Sequence, residues 1–193
     1  MAKIGGMGVP TIKPWNVDAV KEKLDILNES GIFAAAMDID GAGLPFLKAM
    51  NPNAGSKTVD ELRDIISYAK MPFIIKAEKA VEAGAAGIVV SNHGGRVLGQ
   101  TRATADVLPD IAKAVKGKCT IFVDGGLRNG VDIFKALALG ADAVLVARPF
   151  IPAVYAAQAD GVRMLYAKYK AELKDTMTMC GAHSLAEISA SMV

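Results

Sequence analysis

The sequence predicts an α/β protein of parallel strands, a (β/α)₈ barrel of which only part is visible. Three observations lead there. Strand-like and helix-like segments alternate along the chain. The strands read as near-continuous apolar runs, the pattern of a parallel sheet covered on both faces. Finally, Asp40, Lys76, Ser91, His93, Asp124 and Arg148 all stand at or just past the carboxyl ends of strands. A barrel gathers all such ends around one mouth, whereas an open doubly wound sheet uses mainly its switch point. The barrel is therefore favoured.

The elements follow in order. Residues 16–30, NVDAVKEKLDILNES, place Val17, Val20, Leu24 and Leu27 at helical spacing, with Asn16 as the N-cap and Gly31 as the stop. IFAAAMDID (32–40) is a short apolar strand ending in acids. A second amphipathic helix begins at Ser56 and carries Leu62, Ile65 and Ile66 on one face. MPFIIK (71–76) is a strand, AEKAVEAGA a short helical piece, and AGIVVS the next strand. After a Gly-rich loop a helix runs from Thr104 to about Lys116, followed by the strand CTIFVD (119–124). NGVDIFKALALG is a helix closed by Gly140, and ADAVLVA is the fifth strand. From Pro149, placed at a helix N1 position, the pattern is helical, with Gly161 and Gly181 as breaks.

Two counts show that the barrel is incomplete. Such barrels typically take about 250 residues and eight strands, whereas this chain has 193 residues and five legible strands. The crossover from Lys76 to Ala86 is also short: nine residues lie between them, and parallel strands need roughly a dozen or more. The sequence thus predicts one partial barrel domain over 1–193 with segments missing, and residues 1–15 without a clear pattern.

Composition narrows the function classes. The chain is 52% apolar with a formal net charge of +2, which argues for a packed core and against a polycationic nucleic-acid or membrane surface. Cys119 and Cys180 have neither disulfide nor metal-ligand spacing and are expected as buried thiols, so no metal site is predicted. MAKIGGMGVPTIKPW lacks the apolar core of a secretory signal, and no stretch of eighteen apolar residues occurs. A soluble cytoplasmic protein is the expectation.

The chemistry concentrates in three loops. In SNHGGR (91–96) an imidazole suits a general base near neutral pH, and the glycines let backbone approach a flat ligand. The guanidinium three residues on matches a carboxylate in two hydrogen bonds. In VDGGLRNG, a strand feeding two glycines and a helix start offers backbone N–H groups to an anion, with Arg128 adding charge. VARP (146–149) ends the following strand with another arginine, and such adjacent loops commonly form a phosphate site in barrels. Lys76 closes an apolar strand. Asp38 and Asp40 form either a paired-carboxylate site or a loop cap, and His183, in MTMCGAHS, is assigned a structural role, with Met177 and Met179 packing against the barrel.

These segments resemble a known family. AGAAGIVVSNHGGR, ATADVLPDI and IFVDGGLRNGVDIFKALALGADAVLVARP closely resemble the C-terminal half of the FMN-dependent α-hydroxy-acid oxidases and dehydrogenases, most closely over 71–152. The resemblance implies a barrel with FMN at the strand ends and a small 2-hydroxy acid, lactate- or glycolate-like, as substrate. It implies that His93 is the base, that Arg96 binds the substrate carboxylate, and that Lys76 lies by the flavin N1/O2 edge. Ser91 would contact the flavin, while Asp124, Gly125, Gly126 and Arg128, with Ala147 and Arg148, would hold the ribityl chain and phosphate. Asp40 matches the family acid, Asp38 stands where many members have Thr, and Ala147 replaces a usual Gly. A homo-oligomer is the family expectation. The alternative is a non-catalytic FMN- or phosphate-binding partial barrel that completes itself by dimerising.

Overall fold

The computed structural model describes residues 7–193; the first six residues of the patternless N-terminal segment lie outside the described residues. The chain forms two compact units. Unit 1 comprises the chain up to Thr101 with Val115–Thr120, and unit 2 comprises Arg102–Ala114 with Ile121–Val193.

Unit 1 is built on four parallel strands: β1 (Thr11–Ile12), β2 (Ala35–Met37), β3 (Phe73–Ile75) and β4 (Gly87–Val90). They pair in chain order, with Ile12 opposite Met37, Met37 opposite Ile75, and Ile75 opposite Ile88. Helix α1 (Val17–Glu29) starts at Asn16, whose side chain accepts from the Ala19 N–H, and buries Val20 and Leu24. A short α2 (Pro45–Lys48) follows a 3₁₀ turn at Ile39–Gly43. Helix α3 (Val59–Tyr68) begins three residues later than the sequence predicts, because Thr58 and Glu61 form a reciprocal capping box. Such a cap contributes about 1 kcal/mol, and Ser56, with Val59 three residues on, has no Glu or Gln to close the same box.

Unit 2 contains α4 (Thr104–Val115), β5 (Thr120–Asp124, whose first residue belongs to unit 1), α5 (Gly130–Ala138), β6 (Ala143–Leu145) and α6 (Phe150–Cys180). β5 and β6 are parallel, with Asp124 opposite Leu145. Phe134 of α5 is almost fully buried, a contribution of about 1.5–3 kcal/mol.

Among the described residues six strands thus stand where five were expected. The addition, Thr11–Ile12, is two residues long and carries no periodicity. The predicted strand over 32–40 shrinks to Ala35–Met37, since Asp38 onward turns into the 3₁₀ segment. The short crossover holds a single 3₁₀ turn at Glu78–Val81 instead of a helix. Gly161 does not break the last helix. The chain leaves helical geometry at Ala157 and Gln158 instead, and Gly161 lies inside, buried, where an added Cβ would sit 1.9 Å from the Ala153 carbonyl oxygen. Its smallness serves close packing. Gly181 closes α6 in the left-handed conformation, as expected. Pro149 falls one residue before the first helical residue. Cys180 and Met179 are exposed and not buried, because the end of α6 turns them to solvent. Among the described residues, no helix is long and apolar enough to cross a membrane.

Candidate active site

The parallel register of unit 1 brings three charges into line. Ile12, Met37 and Ile75 are matched across β1, β2 and β3, so the next residue on each strand, Lys13, Asp38 and Lys76, falls on one face at neighbouring positions, about 4.8 Å from strand to strand. Two backbone bonds extend the ladder to this level: Asp38 N–H to Ile12 O and Lys76 N–H to Met37 O. Asp38 accepts from Lys13 Nζ at 3.0 Å and from Lys76 Nζ at 3.2 Å. Lys76 Nζ also lies 3.1 Å from Asp40 Oδ2.

His93 completes the network. Its Nδ1 is 3.0 Å from Asp40 Oδ2 and 3.2 Å from Lys76 Nζ. The ring is presented by a tight turn in which His93, Gly94 and Gly95 all have positive φ (54°, 65° and 72°). Glycine takes that conformation without penalty, whereas a histidine there is uncommon and is held by its surroundings. The holding groups are the two residues before it. Ser91 Oγ accepts from the His93 N–H at 3.1 Å, and Asn92 Oδ1 accepts from the Gly94 N–H at 2.9 Å. The stretch SNHGGR therefore folds as a device that fixes one imidazole.

Burial and charge divide the two carboxyls. Burial pushes Asp38 up, but bonds from Asp40, Lys13 and Lys76 outweigh it and hold its carboxyl below the usual range. Burial and the neighbouring Asp38 push Asp40 up, with Lys76 opposing. One oxygen of Asp40, Oδ1, is buried without a hydrogen-bond partner, an uncommon state that marks a site. Asp38, Asp40 and His93 offer atoms within 4.8 Å of one another, a spacing that suits a cation. The ammonium of Lys76, within 3.2 Å of each of the three residues, supplies that positive charge.

Of the residues singled out from sequence, unit 1 brings together Asp38, Asp40, Lys76, Ser91 and His93. Arg96 stands apart from the ion network: it is exposed, and its Nε donates to the His93 carbonyl at 3.3 Å. Lys13 was not anticipated, since a two-residue strand gives no sign that the next residue ends a strand. A lysine directly after an apolar pair, as in TIK, is the one available signal.

Unit 2 holds the remaining residues. Asp124 ends β5, and Gly125 and Gly126 follow with φ of 106° and 83°. The Arg128 N–H donates to Asp132, and Asn129 caps α5 by accepting from the Asp132 N–H. Gly130 is required by packing, since a Cβ there would lie 2.2 Å from the Leu173 backbone nitrogen. Ala147 and Arg148 follow β6, the neighbour of β5, and both are exposed, as is Arg128. A cavity of about 240 Å³ lies beside the loop, lined by Thr104, Leu108, Gly125, Gly126, Asp132 and Lys135 among others.

A clamped histidine beside a lysine at parallel-strand ends, and arginine-bearing loops after two adjacent parallel strands, one of them with a glycine pair, are the features of a parallel α/β protein with its polar residues at the strand ends. Comparison with known proteins makes this specific: the chain belongs to the FMN-dependent dehydrogenase family, whose profile matches residues 19–193. It is 44% identical over 146 residues to an L-lactate dehydrogenase of Allorhizobium ampelinum, covering 72% of this chain and 38% of that protein. It is 36% identical over 187 residues to the peroxisomal (S)-2-hydroxyacid oxidase GLO3 of Arabidopsis thaliana, covering 90% and 51%. A 4-hydroxymandelate oxidase of Amycolatopsis orientalis is 43% identical over 135 residues, covering 66% of this chain and 38% of that protein. Among solved structures, a mandelate oxidase superposes with a TM-score of 0.81 at 33% identity, covering 96% of this chain and 62% of that one. The fold is thus part of a (β/α)₈ barrel, and the chain spans between about two fifths and one half of the length of these curated relatives.

Proposed function

We propose that the chain takes part in the FMN-dependent oxidation of a small L-2-hydroxy acid to the 2-keto acid. The observation that carries this reading is the clamped imidazole. In the tautomer that donates Nδ1–H to the Asp40 carboxylate, Nε2 is left as the basic atom. Nε2 takes a proton from the substrate as its electron pair leaves, and Asp40 offsets the charge that His93 gains. Arg96 supplies the planar fork for the substrate carboxylate. FMN, when bound, supplies the two-electron acceptor.

The residues present fit that cofactor. Gly125 and Gly126 hold positive φ, and a Cβ added at Gly126 would meet nothing within 4 Å. That is a backbone cradle open to an anion. Arg128 and Arg148 add the charge a phosphate monoester requires, with Asp124 and Ala147 beside them. Lys76 is the cation for the flavin edge that gains negative charge, and Ser91 is a flavin contact. The relatives named above, which are a lactate dehydrogenase, a 2-hydroxyacid oxidase and a 4-hydroxymandelate oxidase, support the substrate class. The exposure of Arg96 and its bond to its own turn favour a second reading, a chain that binds FMN without turning over.

The test is a visible spectrum of the chain incubated with FMN, before and after anaerobic addition of L-lactate, glycolate or mandelate. A flavin band that bleaches is the expected result. A band that persists with every acid selects the second reading, and no retained band removes both.

A further inference from the structure

We infer that Asp38, clamped between Lys13 and Lys76, is a positioning residue: it fixes the Lys76 ammonium and limits how much of its positive charge is offered to an electron acceptor. The inference rests on the flavin reading above for its redox consequence, and on geometry alone for the clamp.

The geometry is a consequence of register. Three adjacent parallel strands each end an apolar run with a charged residue at the same level, as Ile12–Lys13, Met37–Asp38 and Ile75–Lys76. Their order is plus, minus, plus. The carboxylate between the lysines uses a different oxygen for each, Oδ2 for Lys13 at 3.0 Å and Oδ1 for Lys76 at 3.2 Å. Asp38 and Lys76 are equally shielded, with 13% of each side chain exposed, while Lys13 is 37% exposed and faces the solvent side. At this burial an unpaired lysine or carboxylate costs more than a paired one, so Lys76 is held by two carboxylates and Asp38 by two ammoniums. Asp40 faces His93 as well as Lys76; Asp38 faces the lysines. Asp38 is therefore the carboxylate whose charge is divided between the two lysines, and Lys13 takes a share that would otherwise fall on Lys76. With the Asp38 carboxylate set between two ammoniums, each single neutral replacement along Lys13, Asp38 and Lys76 changes the sum of charges in the line.

The two neighbours of Lys76 in this line must act with opposite sign. Asp38→Asn removes a negative charge beside Lys76, which favours an electron-rich acceptor. Lys13→Met leaves Asp38 undiluted, which disfavours it. The measurement is the midpoint potential of FMN bound to the full chain at pH 7.5. Asp38→Asn is expected to favour the reduced form about tenfold, which is about 30 mV for a two-electron couple. Lys13→Met is expected to shift the potential downward by less, and Asp38→Glu to stay close to the unaltered chain. Shifts of the same sign in Asp38→Asn and Lys13→Met, or none, overturn the charge-setting role.

A second measurement needs no flavin. Thermal melting of the FMN-free chain is compared for Asp38→Asn, Lys76→Met and the double variant. If Asp38 holds Lys76, the losses are not additive and the double variant melts close to Lys76→Met. Additive losses overturn the clamp. A chain that retains no FMN counts against the flavin reading, and the melting cycle still decides whether Asp38 positions Lys76.

Discussion

The two units solve different problems with different materials. Unit 1 assembles its site from side chains: five charged or titratable residues in a continuous network, with Lys76, Asp38 and His93 each less than one fifth exposed. Unit 2 assembles its site from backbone: two glycines at positive φ before a capped helix, with Arg128 and Arg148 out in solvent. A network of buried ions must be satisfied internally before any ligand arrives, because each charge would otherwise be desolvated without a partner. An anion cradle has the opposite requirement. Its donors are of use only while something else can accept from them. The first site therefore pairs its charges within the chain, leaving only Asp40 Oδ1 without a partner among its carboxylate oxygens, and the second is a receptacle.

The largest expected effect separates the two directly. His93→Ala should slow substrate-driven bleaching of bound FMN by about 10²–10⁴-fold, the usual worth of a positioned base, while the affinity for FMN stays within a fewfold of its starting value. Anaerobic rapid-mixing absorbance gives the first quantity and fluorescence titration of FMN the second. Bleaching that survives the replacement removes His93 from the role of base.

The reverse perturbation belongs to unit 2. Replacing Arg128 or Arg148 by Ala should weaken FMN binding by roughly 10- to 100-fold each, corresponding to about 1.5–3 kcal/mol for a charge-assisted bond. The melting temperature of the FMN-free chain should hardly move, since both side chains are exposed. Equal loss of affinity and of stability would mean that these arginines are structural, and the contrast between the units would fail.

How much of this was readable from sequence follows the same division. The loops of unit 2 were legible because glycine pairs, arginines and helix caps are local in the chain: GGLRN states its own turn chemistry. Asp40, Lys76, Ser91 and His93 were legible as strand-end residues, and Asp38 with Asp40 as either a carboxylate pair or a loop cap. The pairing of Lys13 with Asp38 was not, because it depends on register between strands 25 residues apart, and one of those strands is two residues long. The same limit hid β1. Gly161 misled for a different reason. A glycine in a helical run can mark a break or a close approach, and only the neighbouring Ala153 carbonyl decides between them.

Asp38 offers a finer test of the claim that unit 1 is internally satisfied. Its carboxyl is held below the ordinary range in the folded chain. A depressed group contributes stability that is fully present above its unfolded value, about pH 3.9, and is lost as pH falls through its folded value. Asp38→Asn should therefore cost about 1–2 kcal/mol near pH 7, seen as a fall of a few degrees in melting temperature. The gap should stay constant down to about pH 5 and close only below about pH 4. A gap that does not depend on pH would assign the loss to packing and not to charge.

The smallest effect isolates the cradle. Gly126 and Gly31 have similar positive φ, 83° and 68°, and a Cβ at either would meet nothing within 4 Å. Replacing either by Ala should thus cost about the same, roughly 1 kcal/mol of backbone strain, and lower the melting temperature by about 2–4 °C. Strain alone predicts that the two variants bind FMN alike. If the open space above Gly126 is where the phosphate sits, Gly126→Ala should weaken FMN binding several-fold more than Gly31→Ala at equal loss of stability. The methyl group would then occupy ground that the ligand needs. Equal affinities in the two variants would leave Gly126 as ordinary turn chemistry, and the receptacle would have to be sought in the loop after β6 alone.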